Sequence, residues 1–451
     1  MFVLLVGLLC WSSAAARAQQ ASLAHATENT TSRELRLKVF DQVWRSINEN
    51  YYDRNFHGLD WIAQRNTFRP LAEQATSNAE FYRALRGMIG KLGDAHTRIY
   101  APDDGFDRYR PAGTTVGLTV RRVEGRPVIT SVEPNSEAAT RGIRAGSMVT
   151  QLDGAPIERV LEKLREEVGL SSTPTARDLQ SLERLFYGQR DTAFVLTVVN
   201  EAGAELSYGL TRRYVEFQRR VTQRLLPHRI GYIEVSGFGP EIERDFEQAL
   251  LKLRDTRGMI IDLRNNGGGF VSTVAQIASY FFPEETDLGE FVTRQGRATR
   301  RKTLRVKENY RAPLVVLVSS RSASGAEILA AAVQERKRGQ VIGANAATCG
   351  CLLGVSRTLR LDDGGKLNVS DTDFRTAQGR RIEGFGVQPD QHVPLRIGDL
   401  LNGRDATLET AVDRLNLQFI FGNQPPPEFK LLLPAFETPL ARPLPASPVN
   451  R

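Results

Sequence analysis

The sequence predicts an α/β protein whose second half contains a largely parallel sheet. Residues 230–235 and 258–262 are apolar runs of strand length, and residues 241–253 between them place apolar side chains at helical spacing. The alternation continues with an apolar strand at 314–318 and a helix after Ser324. A succession of strand, helix and strand is typical of α/β folds with parallel strands.

The segments on either side of this core have different patterns. From residue 30 to 100, apolar residues such as Val39, Val43 and Ile47 recur at helical spacing and predict an N-terminal helical region. From 111 to 215 the pattern changes to short strands and loops, which predicts a separate domain. The α/β core then covers 228–400, and we expect the proline-containing stretch 401–451 to be an extended or disordered tail.

The charge of the chain is positive but dispersed. The 451 residues carry a net charge of +8, with 60 basic residues against 52 acidic ones. The sequence contains neither a lysine-rich run nor a basic helix interleaved with aromatic residues. This favours a soluble basic protein over one that binds nucleic acid.

The first residues predict export. The apolar run from Met1 to Trp11 is too short to span a membrane, and Ala16-Arg17-Ala18 fits a signal-peptidase site. We therefore expect residues 1–18 to be a signal peptide, and the mature protein to be periplasmic or secreted without a stable membrane span. A lipid anchor on Cys10 is a weaker alternative, because Leu9 stands where a small residue is normal.

The cysteines are too few for a disulfide framework. Cys10 lies in the predicted signal peptide, and Cys349 and Cys351 are separated by one residue. These two residues form either an unusual Cys-x-Cys disulfide or two free thiols. Histidine and cysteine pairs with zinc-ligand spacing are absent from the sequence, so we expect neither a metal nor a cofactor.

One serine has the sequence context of a nucleophile. Ser324 follows an apolar strand and a turn of small residues, and it precedes a helix. A serine at a helix N-terminus has backbone N–H groups beside it that can bind an oxyanion. His96, in Leu92-Gly-Asp-Ala-His-Thr-Arg98, and Glu383, in Gly379-Arg-Arg-Ile-Glu-Gly384, suggest that serine, histidine and glutamate meet in one hydrolytic site.

The segment 111–215 resembles a PDZ domain. Two strands, a short helix, an Ala-Gly turn and a strand that closes on Asp153-Gly154 follow one another in that order. The resemblance implies binding of peptide C-termini through strand addition, with the carboxylate held by the backbone of Val116, Gly117 and Leu118. A degenerate PDZ domain that only packs or regulates is the alternative.

With helices, a PDZ-like insert and these motifs in this order, the chain resembles the tail-specific, or C-terminal processing, serine protease family. Asp262-Leu-Arg-Asn-Asn-Gly-Gly-Gly269 is similar to the family's Asp-Leu-Arg-Asn-Asn-Pro-Gly-Gly. Ser322-Ala-Ser-Gly-Ala-Glu327 is similar to its Ser-Ala-Ser-Ala-Ser-Glu, whose second serine is the nucleophile. The resemblance implies that Ser324 is the nucleophile and that the core has the family's crotonase-like (ClpP/crotonase) α/β fold.

The departure from the family concerns the base. Typical members use a lysine 25 residues after the serine, and Cys349 occupies that position here. Tricorn-type proteases, a branch of the same superfamily, use serine, histidine and glutamate, with the glutamate at a distance similar to the 59 residues that separate Glu383 from Ser324. This similarity implies a catalytic set of Ser324, His96 and Glu383. The serine that precedes the histidine in some of these proteases is Ala95 here.

The chemistry of this set follows from the side chains. His96 would take the proton from Ser324 and return it to the leaving group, since imidazole titrates near neutral pH. Glu383 would orient the imidazole and stabilise its cation. The backbone N–H groups of Gly268 and Gly325 would form the oxyanion hole, because glycine lets the backbone approach a substrate without an intervening Cβ.

The sequence thus predicts an exported serine endopeptidase that cleaves proteins or peptides with accessible C-termini, presented by the PDZ-like domain. An alternative from a different class is a catalytically inactive pseudoprotease that binds or scaffolds peptides. The missing lysine motivates that alternative, and the complete set of Ser324, His96 and Glu383 opposes it. The sequence does not indicate the substrate or the oligomeric state.

Overall fold

The computed structural model of the chain describes residues 32–104, 107 and 111–421. The predicted signal peptide, residues 1–18, lies outside these ranges, as does most of the predicted proline-rich tail.

The N-terminal region is helical and ends in a short strand. Its elements are α1 Arg33–Asn50, α2 Trp61–Gln74, α3 Asn78–Gly90 and β1 Arg98–Tyr100. Ser32, Asp60 and Ser77 cap the helices, and each side chain accepts an N–H from the first turn that the helix leaves unpaired. The core between the helices is completed by Leu367 from much later in the chain. The strand that contains Leu367 pairs with β1, which fixes this region to the rest of the molecule.

A middle domain lies between two paired strands. Its elements are β2 Ala112–Thr115, β3 Leu118–Val123, β4 Arg126–Val132, α4 Glu137–Thr140, β5 Met148–Leu152, β6 Ala155–Pro156, α5 Ile157–Val168, α6 Pro174–Glu183, β7 Ala193–Val199, β8 Glu205–Thr211 and β9 Arg213–Glu216. Because β2 and β9 pair with each other, the chain enters and leaves the domain at one place. Strands β3, β4, β5, β7 and β8 form one sheet in that order. It has its own core, in which Ile129, Leu161 and Leu196 are fully buried.

The C-terminal core is built around a six-stranded sheet. Its elements are β10 Val221–Leu226, β11 Ile230–Val235, α7 Ile242–Leu253, β12 Gly258–Asp262, α8 Val271–Ser279, β13 Asp287–Thr293, β14 Ala298–Lys302, β15 Leu314–Val318, α9 Gly325–Glu335, β16 Gln340–Gly343, β17 Leu353–Gly354, β18 Thr358–Arg360, β19 Lys366–Asn368, β20 Thr372–Arg375, β21 Gln391–His392, α10 Ile397–Leu401 and α11 Ala406–Phe421. The strand order is β10-β11-β12-β15-β16-β21. All neighbours in it are parallel except β10 and β11, as the alternation of strand and helix predicts.

Helices cover both faces of this sheet. Along β15, Val316 and Val318 belong to the hydrophobic cluster that includes α7, α8 and α9. Val315 and Leu317 belong to a second cluster, which includes Leu415 of α11. Since successive side chains of a strand point to opposite faces, β15 is buried on both sides, as is usual for a central parallel strand.

The boundaries of the core differ from those expected. The tail predicted from residue 401 begins too early, because α11 packs on the sheet through Ala411 and Leu415. Ala411, Leu415 and Phe419 recur at helical spacing and form an apolar face that covers the sheet, and the prolines that suggested a tail follow this helix. At the other end, β10 pairs along its length with β11 and extends the core to before residue 228.

Candidate active site

Ser324 lies in the tight turn between β15 and α9. Its backbone has φ 53° and ψ −114°, a conformation that steric clashes make rare for a residue with a side chain. Its N–H donates to the carbonyl of Cys351 at 3.0 Å and to Glu327 Oε2 at 2.9 Å. A strained conformation of this kind persists only where its surroundings over-determine it, and such residues cluster at active sites.

A buried carboxylate ties this turn to a second loop. Glu327 is fully buried, and burial raises its pKa to about 7 against the effect of its hydrogen bonds. Besides the N–H of Ser324, it accepts from the Thr348 hydroxyl at 2.5 Å and from the N–H groups of Gly350 and Cys351 at 2.8 and 3.2 Å. One side chain therefore joins the turn of Ser324 to the loop 348–351.

Cys349 and Cys351 form a disulfide, which decides between the two alternatives that the sequence leaves open. Both residues are buried, and the N–H of Cys349 donates to the carbonyl of Ser322 at 3.0 Å. A disulfide sulfur does not titrate. The position at which typical members of the protease family have a lysine therefore holds no base in this chain.

The loop that contains His96 precedes β1. Asp94 Oδ1 accepts the N–H groups of His96 and Thr97 at 2.7 and 2.6 Å and thereby fixes the loop. Ala95 belongs to a small buried cluster with the disulfide, and Ala323 packs against that cluster. Since Ala323 immediately precedes Ser324, the His96 loop and the turn that contains Ser324 lie against the same cluster.

Glu383 lies in the loop between β20 and β21 and is buried. Its Oε2 accepts the N–H of Leu352 at 2.6 Å. Burial raises the pKa of Glu383 to about 8; the nearby Ser172 hydroxyl and the N–H of Leu352 oppose this, and the negative charges of Asp94 and Glu327 add to it. Glu383 therefore lies beside both the His96 loop and the disulfide loop.

Gly268 contacts Ser324 from the loop after β12. Its φ is 94°, and a Cβ there would lie 2.6 Å from the Cβ of Ser324 and 3.0 Å from the nitrogen of Gly325, so only glycine fits. The N–H of Gly268 donates to Asn266 Oδ1 at 2.8 Å. Gly325 begins α9, where N–H groups have no acceptor within the helix. Both predicted oxyanion donors are thus close to Ser324, and use of Gly268 requires exchange of its bond to Asn266.

A loop of the middle domain reaches this site, and nothing in its sequence predicts that it does. The loop consists of residues 171–173, between α5 and α6. Ser172 Oγ accepts the N–H of Ala95 at 3.0 Å, and the Thr173 hydroxyl donates to the carbonyl of Cys349 at 2.9 Å. Serine and threonine before a proline are typical of an ordinary helix start, which Thr173 also provides. This sequence pattern therefore predicts the helix start but not the hydrogen bonds that the loop makes to Ala95 and Cys349.

The predicted peptide-binding residues lie at the start of β3. Val116 and Leu118 are buried in the core of the middle domain. Gly117 has φ 72°; its N–H donates to Thr115 Oγ1 at 3.1 Å, and its carbonyl accepts the N–H of Glu133 at 2.7 Å. The backbone of Gly117 is thus engaged within the domain.

The part of the chain that the structure describes contains neither a metal-binding cluster of side chains nor a helix suited to cross a membrane. Across residues 32–104, 107 and 111–421, no three His, Cys, Asp or Glu side chains are grouped so that they could hold a metal ion. In the same ranges, no helix combines the length and the apolar character that a membrane crossing needs.

Comparison with known sequences follows the same division of the chain. Residues 229–393 match peptidase family S41, and residues 32–90 match the tricorn protease C1 domain. Tricorn protease homolog 2 of Streptomyces coelicolor is 27% identical over 418 residues, which cover 89% of this chain and 34% of that protein. A carboxyl-terminal-processing protease of Synechocystis sp. is 26% identical over 393 residues, which cover 84% of this chain and 86% of that protein. The chain therefore spans only part of the first relative and most of the second.

Solved structures show the same similarity. The photosystem II D1 C-terminal processing protease superimposes with a TM-score of 0.55 at 25% identity, covering 80% of this chain and 93% of that one. Mature CPAF superimposes with a TM-score of 0.67 at 15% identity, covering 87% of this chain and 99% of that one. At that identity the second similarity concerns the fold alone.

Proposed function

We propose that this chain, a serine-type peptidase whose residues 229–393 match peptidase family S41, is an exported endopeptidase of the tail-specific type that uses Ser324, His96 and Glu383. The observation that carries the proposal is the strained turn of Ser324 at the start of α9. This turn packs on the cluster that includes Ala95, next to His96. The N–H of Ser324 also donates a hydrogen bond to the carbonyl of Cys351, and the N–H of the next residue, Leu352, donates to Glu383.

The proposed reaction is acyl transfer to serine followed by hydrolysis. Ser324 Oγ attacks the scissile carbonyl carbon while His96 accepts its proton and then delivers it to the leaving amine. Water then attacks the carbonyl carbon of the acyl-enzyme while His96 accepts its proton. His96 returns that proton to Ser324 Oγ as the acyl bond breaks. The oxyanion is bound by the N–H groups of Gly325 and Gly268, the latter after exchange of its bond to Asn266. One such donor contributes about 2.7–4 kcal/mol to the lowering of the barrier.

The surroundings of Glu383 support its role beside an imidazolium. Burial and the nearby charges of Asp94 and Glu327 disfavour the carboxylate and raise the pKa of Glu383 to about 8. A positive charge on His96 compensates for that environment. Since this positive charge develops as Ser324 attacks, the interaction strengthens in the transition state, and this is the condition under which it accelerates the reaction.

The middle domain is proposed to present the substrate as a PDZ-like module. Its separate sheet and core support a domain that can bind an extended peptide. Calorimetry on the full-length Ser324→Ala variant should show tighter binding of peptides with a free apolar C-terminus than of the same peptides amidated. Equal binding of both forms would remove the role of the backbone at Val116, Gly117 and Leu118.

Export is supported by the apolar N-terminal run and by the disulfide, since disulfides persist mainly in oxidising compartments. N-terminal sequencing of protein recovered outside the cytoplasm should begin at Gln19. A mature chain that retains Phe2 to Trp11 would contradict cleavage at this site.

A fluorophosphonate probe tests the catalytic proposal most directly, because it reacts with activated serines. The mature protein should be labelled on the peptide that contains Ser324, and Ser324→Ala should not be labelled. Ser320→Ala, which removes a different hydroxyl from the same connection, should be labelled like the wild type. A folded wild type that binds peptides but resists labelling would instead favour a binding protein without catalysis.

A further inference from the structure

Two arginines from different parts of the chain meet at one carboxylate near the turn of Ser324. Arg121 lies on β3 of the middle domain, and its guanidinium is 3.9 Å from Glu183 Oε1. Arg321 precedes Ser324 in the turn after β15, and its guanidinium is 3.4 Å from the same oxygen. We propose that Arg121 and Arg321 form a binding site for an acidic side chain of the peptide substrate. The inference rests on the function proposed above and names a substrate class for it.

The two guanidinium groups have donors left for a further anion. Each guanidinium carries five N–H donors. Within the described residues, the side chain of Arg121 donates a hydrogen bond to the carbonyl of Val120 at 2.6 Å. Both distances to Glu183 are longer than the about 2.7–2.9 Å of a charge-assisted hydrogen bond. Glu183 therefore satisfies the two cations only in part.

The balance of charge at this place also favours a second anion. Arg121 and Arg321 together carry two positive charges, and Glu183 carries one negative charge. The side chain of Arg121 is only 15% exposed, and burial together with the charge of Arg321 lowers its pKa to about 9. A second carboxylate would balance the remaining positive charge, and away from bulk water this attraction is stronger than at an open surface.

Glu183 lies where the carboxylate of a ligand would bind, and it is weakly held there. Its side chain is 38% exposed. It is the last residue of α6, and the C-terminus of a helix disfavours a negative charge. The carboxylate of a substrate can therefore displace Glu183 from the two guanidinium groups.

The position of Arg121 on β3 indicates which residue of the substrate is bound. β3 is at the edge of its sheet, so an extended peptide can add to it. With the C-terminal carboxylate at residues 116–118, as proposed above, the peptide runs antiparallel to β3. The residue beside Arg121 then precedes the C-terminus by about three positions. We therefore expect Asp or Glu to be preferred at that position of the substrate.

Calorimetry on the full-length Ser324→Ala variant tests this site. Two peptides of otherwise identical sequence carry Asp or Asn at the third residue before the C-terminus, and each is made with a free and with an amidated end. At low salt the Asp peptide should bind roughly tenfold more tightly than the Asn peptide, and salt should reduce this preference. The preference should disappear when Arg121→Gln or Arg321→Gln is added.

Arg311→Gln is the matched control for the loss of one positive charge. Arg311 is exposed and precedes β15, at the opposite end of that strand from Ser324, so the variant should keep the preference for Asp. Thermal unfolding confirms that each variant is folded. Loss of affinity in the arginine variants that depends on the free C-terminus, and not on Asp, would contradict the assignment to a side chain.

Glu183→Gln separates a ligand site from a contact that only joins two domains. Removal of a competing carboxylate should raise the affinity for the Asp peptide several-fold, whereas Arg321→Gln lowers it. If Glu183→Gln and Arg321→Gln instead change the affinities for the Asp and Asn peptides equally, the site is refuted and the proposed function stands. A folded wild type that neither hydrolyses peptides nor labels at Ser324 would overturn the proposed function, whereas the Asp preference of Ser324→Ala decides on the site alone.

Discussion

Ser324 keeps an unfavourable backbone conformation because the groups around it leave no alternative. Its N–H is shared between the Glu327 carboxylate and the carbonyl of Cys351, and Gly268 approaches so closely that a side chain there would collide with it. A turn held in this way presents the hydroxyl at the N-terminus of α9, where N–H groups are available for an anion. The strain of one residue is thus offset by contacts from the helix α9 and from two loops.

We expect Ser324→Ala and His96→Ala to lower kcat/KM by several orders of magnitude and to nearly the same value, because members of a catalytic set act as a unit. Glu383→Gln should cost less, since a neutral amide can still orient an imidazole. Hydrolysis of a fluorogenic peptide measures this, with thermal unfolding of each variant as the control for folding. Full activity of His96→Ala would show that the base lies elsewhere.

Glu327→Gln should weaken the pH dependence of stability. The pKa of Glu327 is about 7 in the folded protein and about 4.3 for a glutamate in an unfolded chain, so folding favours its protonated form. Its contribution is full below the unfolded pKa and is lost as the pH rises through about 7. Gln carries no charge to lose, and the variant should therefore lose more stability relative to wild type at pH 5 than at pH 8.

Urea unfolding across that pH range measures the effect of Glu327→Gln. Glu308→Gln, which changes an exposed glutamate, serves as the control and should follow the wild type. Glu383 has a raised pKa of the same sign, so the slope should decrease rather than vanish. A variant whose unfolding free energy varies with pH as steeply as that of the wild type would contradict this account of Glu327.

At the scale of elements, strong local periodicity made the sheet predictable. The strands β11, β12 and β15 are apolar except for Glu234 and Asp262 near the ends of the first two, which indicates strands buried on both sides. The turn after β15 was predictable for a related reason, because small residues followed by a helix indicate a tight connection. The helix α11 was missed, since the prolines that follow it dominated the composition of the whole segment.

The structure of the loop 348–351 could not be predicted from the local sequence pattern. Two cysteines one residue apart do not reveal whether they are joined, because that depends on whether the backbone brings their sulfurs together. The disulfide is part of a loop that Glu327 holds through three further hydrogen bonds. These bonds come from a helix more than twenty residues earlier, and no short-range pattern specifies them.

Cys349→Ser should reduce stability while sparing hydrolysis. The disulfide closes a loop of only three residues, so the chain-entropy model gives it about 1.5 kcal/mol. Because Cys349 is in a disulfide and does not titrate, we expect kcat/KM to remain within about tenfold of wild type, a change of roughly 1.4 kcal/mol. Thermal unfolding and peptide hydrolysis measure the two effects. The double variant with Cys351→Ser controls for the remaining thiol, and loss of labelling at Ser324 in a folded variant would contradict the prediction.

At the scale of the whole molecule, the middle domain meets the core through charged groups near the turn of Ser324. Glu183, at the end of α6, lies 3.4 Å from Arg321 of the core and 3.9 Å from Arg121 of β3. Burial, together with the charge of Arg321, lowers the pKa of Arg121 to about 9. Glu183 therefore lies between two guanidinium groups, one from each part of the chain, that would otherwise repel each other.

Glu183→Gln should weaken the contact between the middle domain and the core, because it leaves Arg121 facing Arg321 without a counter-charge. An ion pair that is partly exposed is worth about 1 kcal/mol or less, so we expect a modest loss of stability that is larger at low salt, where screening is weak. Adding Arg321→Gln to Glu183→Gln should restore stability, since one of the two like charges is then removed. Double-mutant analysis of unfolding at low and high salt measures the coupling. Additive effects of the two substitutions at low salt would show that this contact does not help to hold the middle domain against the active site.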